Sequence, residues 1–159
     1  MCKLIIFILL LVIQLAWSQG DTGWATTYYS NKNKKSQTYT VNGKKFGESK
    51  FWYENGQLAR TVSYNKEGRM HGHKLEYYKD GSKKSQAYYS NGKLHGTQTF
   101  WYDTGQINIQ ANYVLGIKHG FYKRFYKNGN KKEEVTYNRG RKYGAHYKWF
   151  INGDVKSKT

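Results

Sequence analysis

The sequence predicts an all-β protein: an elongated, single-layer, antiparallel β-meander of about five to six tandem hairpin repeats, twisted and coiled along its length. Three observations predict it. Three glycine series run in phase at spacings of 25, 24, 24 and 24 residues: Gly43-Gly68-Gly92-Gly116-Gly140, Gly47-Gly72-Gly96-Gly120-Gly144 and Gly56-Gly81-Gly105-Gly129-Gly153. Aromatic pairs at Trp52-Tyr53, Tyr77-Tyr78, Trp101-Tyr102, Phe125-Tyr126 and Trp149-Phe150 each stand three residues before a glycine of the last series. Between the glycines, β-branched and aromatic residues alternate with polar ones, as strands do, and no later window combines helical spacing with helix caps.

The N-terminal residues differ in composition from all that follows. Met1-Cys2-Lys3 is a short basic start, Leu4 to Trp17 is apolar except for Gln14, and Ala16 and Ser18 are small residues three and one before a cut ahead of Gln19. Residues 1–18 therefore read as a secretory signal peptide. The apolar run of 14 residues is short of the roughly 20 that a spanning helix needs, so no transmembrane span is expected after cleavage. Cys2 is the only cysteine and leaves with the peptide, so the mature chain has neither disulfides nor thiol chemistry. That usage points to a secreted protein or one of the bacterial periplasm or cell envelope.

Residues 19–27 form a polar lead-in without periodicity, expected to be loosely ordered. The repeat domain is expected over 28–159. Its first unit is worn: Tyr28-Tyr29-Ser30-Asn31 ends an aromatic strand, but Lys32-Asn33-Lys34-Lys35 stands where a turn should be. From Val41 onward the units are regular, with Glu67 accounting for the single unit of 25 residues. Asn55-Gly56, Asp80-Gly81, Asn128-Gly129 and Asn152-Gly153 are turn dipeptides, because glycine supplies the positive φ that such turns require.

A three-residue loop at Asp103-Thr104-Gly105 sets Tyr102 opposite Gln106 and Trp101 opposite Ile107. Strict alternation then predicts an apolar, packed or partner-binding face of Trp101, Ile107, Ile109, Ala111 and Tyr113. Its equivalents are Trp52, Leu58 and Val62 upstream, and Phe125, Val135 and Trp149 downstream. Lys83 and Lys131 fall on this face and lay their methylene stems along its rings. The opposite face carries Tyr53, Tyr78, Tyr102 and Tyr126, about 10 Å apart, with Lys84 and Lys132. No remaining segment covers a sheet of this size, so it must coil or use one face on a partner.

The net charge is +17, or +16 once Lys3 is removed, beside sixteen tyrosines, five tryptophans and no proline. Such charge keeps an aromatic-rich sheet soluble and equally suits an anionic partner. Lys45, Arg69, Lys93, Lys118 and Arg141 follow the Gly43 series and are expected to form a basic row along one edge, parallel to the tyrosines. Cations beside aromatics suit nucleic-acid bases and sugar rings alike.

Tyr89-Ser90-Asn91-Gly92-Lys93-Leu94-His95-Gly96 and Phe100-Trp101-Tyr102-Asp103-Thr104-Gly105 resemble the MORN repeat variant, a hairpin repeat of small bacterial proteins often described as antitoxins. The resemblance covers roughly Tyr28 to Gly153. It implies an elongated β-meander that binds proteins or lipids and has no chemistry of its own. The chain departs from the pattern at Lys32, at Gly116-Ile117 and at Tyr143, where histidine is replaced.

Chemistry finds no other foothold. His71, His95 and His119 lie one repeat apart, about 10 Å on stacked hairpins, whereas a zinc ion needs ligands about 2 Å from one centre. Glu54, Asp80, Asp103 and Asp154 sit at turns, and Glu133-Glu134 is balanced by Lys131-Lys132. No serine lies in a glycine-rich elbow and no phosphate loop precedes a helix. The expectation is a non-enzyme without metal, cofactor or small-molecule substrate: an exported protein-interaction scaffold with an unknown protein partner, antitoxin- or immunity-like. The alternative is an electrostatic binder of nucleic acid, acidic polysaccharide or a lipid surface.

Overall fold

The computed structural model describes residues 20–159, and the signal peptide expected over 1–18 lies outside them. Thirteen strands form one antiparallel sheet. They are β1 (Gly23–Tyr28), β2 (Lys34–Val41), β3 (Lys44–Trp52), β4 (Leu58–Tyr64), β5 (Met70–Tyr77), β6 (Lys83–Ser90) and β7 (Lys93–Leu94). Then follow β8 (Gly96–Trp101), β9 (Ile107–Val114), β10 (Ile117–Phe125), β11 (Lys131–Asn138), β12 (Arg141–Trp149) and β13 (Val155–Lys158). Each strand neighbours the next in sequence, except that the short β7 branches off β6 beside β8. β1 and β13 end the strand order, so the sheet is open and not a barrel. Among the described residues no helix is long and apolar enough to cross a membrane.

The lead-in is more ordered than its composition suggests. Gly23–Tyr28 is a strand, paired on β2 from Gly23 opposite Thr40 to Tyr28 opposite Lys34. An edge strand offers a row of unpaired backbone groups whatever its side chains. Polar contacts add to it: the Thr40 hydroxyl and the Gly43 amide both donate to the Asp21 carbonyl, at 2.9 and 3.1 Å.

Two kinds of turn alternate. At the aromatic end the Tyr102 amide donates to the Gln106 carbonyl (2.8 Å) and the Gly105 amide to the Tyr102 carbonyl (3.0 Å), with Gly105 at φ 81°. The register expected around Asp103-Thr104-Gly105 is therefore present. The worn first unit closes in the same way, with Lys32 at φ 69° in the glycine position. At the other end Asn42-Gly43, Asn91-Gly92, Leu115-Gly116 and Arg139-Gly140 are two-residue turns in which both residues have positive φ, the twist that matches a hairpin. Glu67 lengthens one of them into a wider turn, closed by the Asn65 amide on Arg69 and the Gly68 amide on Asn65.

Each hairpin also contains a one-residue bulge that turn logic alone does not reveal. Trp101 lies opposite Ile107, yet Phe100 lies opposite Ile109, which leaves Asn108 unpaired. The same shift occurs at Trp52/Phe51, Tyr77/Glu76, Phe125/Arg124 and Trp149/Lys148. Opposed residues share a face, and a bulge shifts that sharing by one. Ile109 therefore joins Phe100 and not Trp101, which corrects the strict alternation. Val62, Ala87, Ala111 and Val135 cross over with it. One side of the sheet, the tryptophan face, carries Trp52, Trp101, Trp149, Phe125, Leu58 and Ile107. The other, the tyrosine face, carries Tyr53, Tyr78, Tyr102 and Tyr126 together with Ile109 and the buried aliphatics.

The aliphatic core follows that side, while Thr61 and Thr99 are buried on the tryptophan face. Val62, Ala87, Ala111, Val135, Thr38 and Ser49 are all at most 8% exposed and lie on the tyrosine face. They are small because larger neighbours close over them in a single layer. A second irregularity falls at the glycines of the Gly47 series: Val135 pairs with His146 but Thr136 with Tyr143, so Gly144 and Ala145 loop out. Bulges bend and twist strands, and each repeat carries two such irregularities.

Candidate functional site

The tyrosines expected to face a ligand have their hydroxyls committed inside the fold. Tyr53 donates to the Tyr77 carbonyl (2.7 Å), Tyr78 to Trp101 (2.8 Å), Tyr102 to Phe125 (2.9 Å) and Tyr126 to Trp149 (2.9 Å). Tyr29 does the same to Trp52 at 2.8 Å. Each phenol thus ties its hairpin to the next, about 10 Å away. Lysines cover the rings, with the Nζ of Lys84 5.6 Å from the centre of Tyr78 and that of Lys132 5.1 Å from Tyr126.

The basic row divides between the two faces. Lys45 lies over Tyr64 at 5.3 Å, and Lys118 over Tyr122 and Tyr137 at 4.6 and 5.0 Å, all on the tyrosine face. Burial raises the phenol pKa of Tyr122 above its ordinary value. Arg69, Lys93 and Arg141 belong to the tryptophan face, where Lys93 is opposite Ser90 and Arg141 opposite Asn138. The Cβ atoms of Arg69 and Lys93 lie 4.0 Å from where a side chain on Gly92 and Gly116 would begin, and Ile117 takes that place at 3.3 Å beside Gly140. The edge row is therefore interrupted between Lys93 and Arg141.

Most carboxylates are tied up in ion pairs and hydrogen bonds, Asp21 and Glu54 excepted. Glu76 meets Lys74 at 2.8 Å and accepts from the Ser85 hydroxyl at 2.7 Å. Burial pushes its pKa up, but these partners outweigh burial and hold it below the ordinary carboxylate value. Glu134 is held low first by its hydrogen bond from Lys131 (2.7 Å), with Lys123 at 3.3 Å. Glu133 joins His146 at 2.8 Å. His71 and His119 accept the amides of Asn91 and Arg139 in neighbouring turns. Among the described residues no three His, Cys, Asp or Glu side chains gather as a metal site.

A stripe on the tryptophan face runs across the strands near the aromatic turns, its lysines exposed and its tryptophans half-buried. Opposed pairs read, in order, Tyr28–Lys34, Trp52–Leu58, Tyr77–Lys83, Trp101–Ile107, Phe125–Lys131 and Trp149–Val155. Between hairpins, Lys34 lies over Trp52 at 5.9 Å, Lys83 over Trp101 at 5.9 Å and Lys131 over Trp149 at 5.4 Å. The stripe therefore repeats every two hairpins, a longer period that single-repeat reasoning missed. Its signal was legible: Lys34, Lys83 and Lys131 are spaced 49 and 48 residues apart, as are Trp52, Trp101 and Trp149. Most of the large apolar residues left exposed also belong to this face, including Trp24 (64%) and Tyr143 (66%).

No curated protein matches the chain. The family model described as the MORN repeat variant matches residues 47–66, 70–91, 94–114 and 118–139, together more than half of the sequence. Each match runs from near a bulge glycine through an aromatic turn to the two-residue turn or its wider counterpart. The hairpins β1–β2 and β12–β13 extend the same geometry beyond the matches. With phenol ladder, paired turns and in-phase glycines continuous through the matched segments, the chain belongs to the MORN repeat variant family.

Proposed function

We propose that the protein is a non-catalytic scaffold that binds a protein partner across its extended sheet. MORN repeats point to a repeat protein used for binding. The observation that carries the choice of partner is the tryptophan face, where Trp24, Ile117, Tyr143 and Val155 are exposed while the aliphatic core lies on the opposite side. Faces of that composition are typical of protein interfaces. The leader of residues 1–18 supports action outside the bacterial cytoplasm, in the envelope or beyond the cell, and mass spectrometry of the exported chain should find Gln19 as its first residue. An antitoxin- or immunity-like role, neutralising one partner, is a special case of this function.

The net charge of +17 favours a second reading, electrostatic binding of an anionic polymer or lipid surface. Salt separates the two. Binding through lysine–phosphate contacts weakens log-linearly with salt, whereas binding through an apolar face hardly responds. Immobilised mature protein should retain a protein partner at high salt. Retention of nucleic acid or polysaccharide alone, released stepwise by salt, overturns the scaffold reading.

A further inference from the structure

We infer that the stripe on the tryptophan face docks an acidic polypeptide, whose carboxylates meet Lys34 and Lys83 and whose apolar side chains pack between them on Trp52 and Trp101. This rests on the protein-binding function proposed above and names the surface and the chemistry of the partner.

Three observations select that occupant. Each lysine lies over the tryptophan of the next hairpin, and each tryptophan has an aliphatic residue opposed to it in the same hairpin. Each tryptophan thus has one lysine ammonium over its ring and an aliphatic residue opposite it, so the row mixes apolar surface with exposed positive charge. One face of each ring is taken by a lysine, where stacking of bases and sugars needs an open face, whereas aromatic side chains are enriched at protein interfaces. Charge then fixes the sign of the partner. Among the described residues neither Lys34 nor Lys83 has a carboxylate in ion-pair range, whereas Lys131 is held by Glu134 at 2.7 Å. A second copy of the mature chain brings the same +16 and is repelled, so the complementary surface is acidic. Equivalent lysines are four strands apart, about 19 Å, which sets the spacing of the carboxylates they meet.

The test uses the mature chain and four labelled probes: a random glutamate–tyrosine copolymer, polyglutamate of the same length, oligothymidylate, and phosphatidylglycerol vesicles. Fluorescence anisotropy, or co-sedimentation for the vesicles, gives the affinities. The copolymer should bind about tenfold or more tightly than polyglutamate, because only it supplies apolar groups. Lys83→Glu and Trp101→Ala should each weaken copolymer binding several-fold. Lys131→Glu should weaken it less, because Glu134 already neutralises that ammonium, and Lys156→Ala on the other face should leave it unchanged. Equal affinity for polyglutamate overturns the proposal, as does tighter binding of oligothymidylate or vesicles. Lys83 is exposed and outside the core, so Lys83→Glu decides the matter even where Trp101→Ala fails to fold, with circular dichroism checking both. A protein partner that stays bound to Lys83→Glu overturns this stripe and leaves the scaffold function standing; capture of polymers alone removes that function itself.

Discussion

Leu115 and Arg139 take the first position of two-residue turns at φ 51° and 48°, a conformation costing an L-residue about 1–2 kcal/mol. Asparagine holds the equivalent sites at Asn42 and Asn91. Leu115→Asn should therefore raise stability by about 1 kcal/mol, seen as a higher denaturant midpoint at unchanged slope. The Tyr102 hydroxyl is matched to the Phe125 carbonyl, so Tyr102→Phe should cost about 1 kcal/mol, read from the same curve. Glu76 and Glu134 titrate below their ordinary value of 4.5 in the folded chain. Groups with a depressed folded pKa contribute stability in full above the unfolded value and lose it as pH falls through the folded one. Stability should accordingly fall with acid below about pH 4.5, and Glu76→Gln should lose less across that window. Chemical denaturation at neutral pH and near pH 3 checks the difference.

At the scale of the element, the hairpins were legible because glycine and asparagine mark turns by the φ they tolerate. The one-residue bulges were not. Lys35, Ala59, Lys84, Asn108, Lys132 and Lys156 hold the bulged position, and nothing in those side chains requires a bulge. The error that follows is systematic: Ile109 and Val62 move to the other face, while Trp101 and Ile107 stay together. Glycines of the Gly47 series are a different case, since their positive φ is required by the loop-out beside them. Gly72 sits at φ 98° with the Ser63 Cβ 3.2 Å from where its own would be. Gly72→Ala should cost about 1–2 kcal/mol from φ alone, with more from that contact, measured as a lower melting temperature.

Across the whole molecule, each hairpin touches only its neighbours, so stability is a sum of units and interfaces. β1 and β13 each pair on one side only, while the central strands are paired on both and carry Val62, Ala87, Ala111 and Val135. Amide hydrogen exchange should be slowest over β4–β11 and fast at β1 and β13; uniform protection would contradict a linear array. The same architecture spreads function along the chain. Among the described residues no metal-ligand set converges on one point, whereas rows of like side chains extend from end to end.

The sequence by itself determined the turns, the number of hairpins and their order, because left-handed φ, period-two alternation and tandem spacing are local properties written residue by residue. Only the tertiary structure decided which residues share a face, where the tyrosine hydroxyls go and which lysines are already paired. A single unpaired residue per hairpin reverses the side of everything after it, and a phenol bonded to a backbone carbonyl one repeat away leaves no mark on the partner's side chain. The tyrosines consequently became struts, and the row of lysine and tryptophan lies on the face behind them.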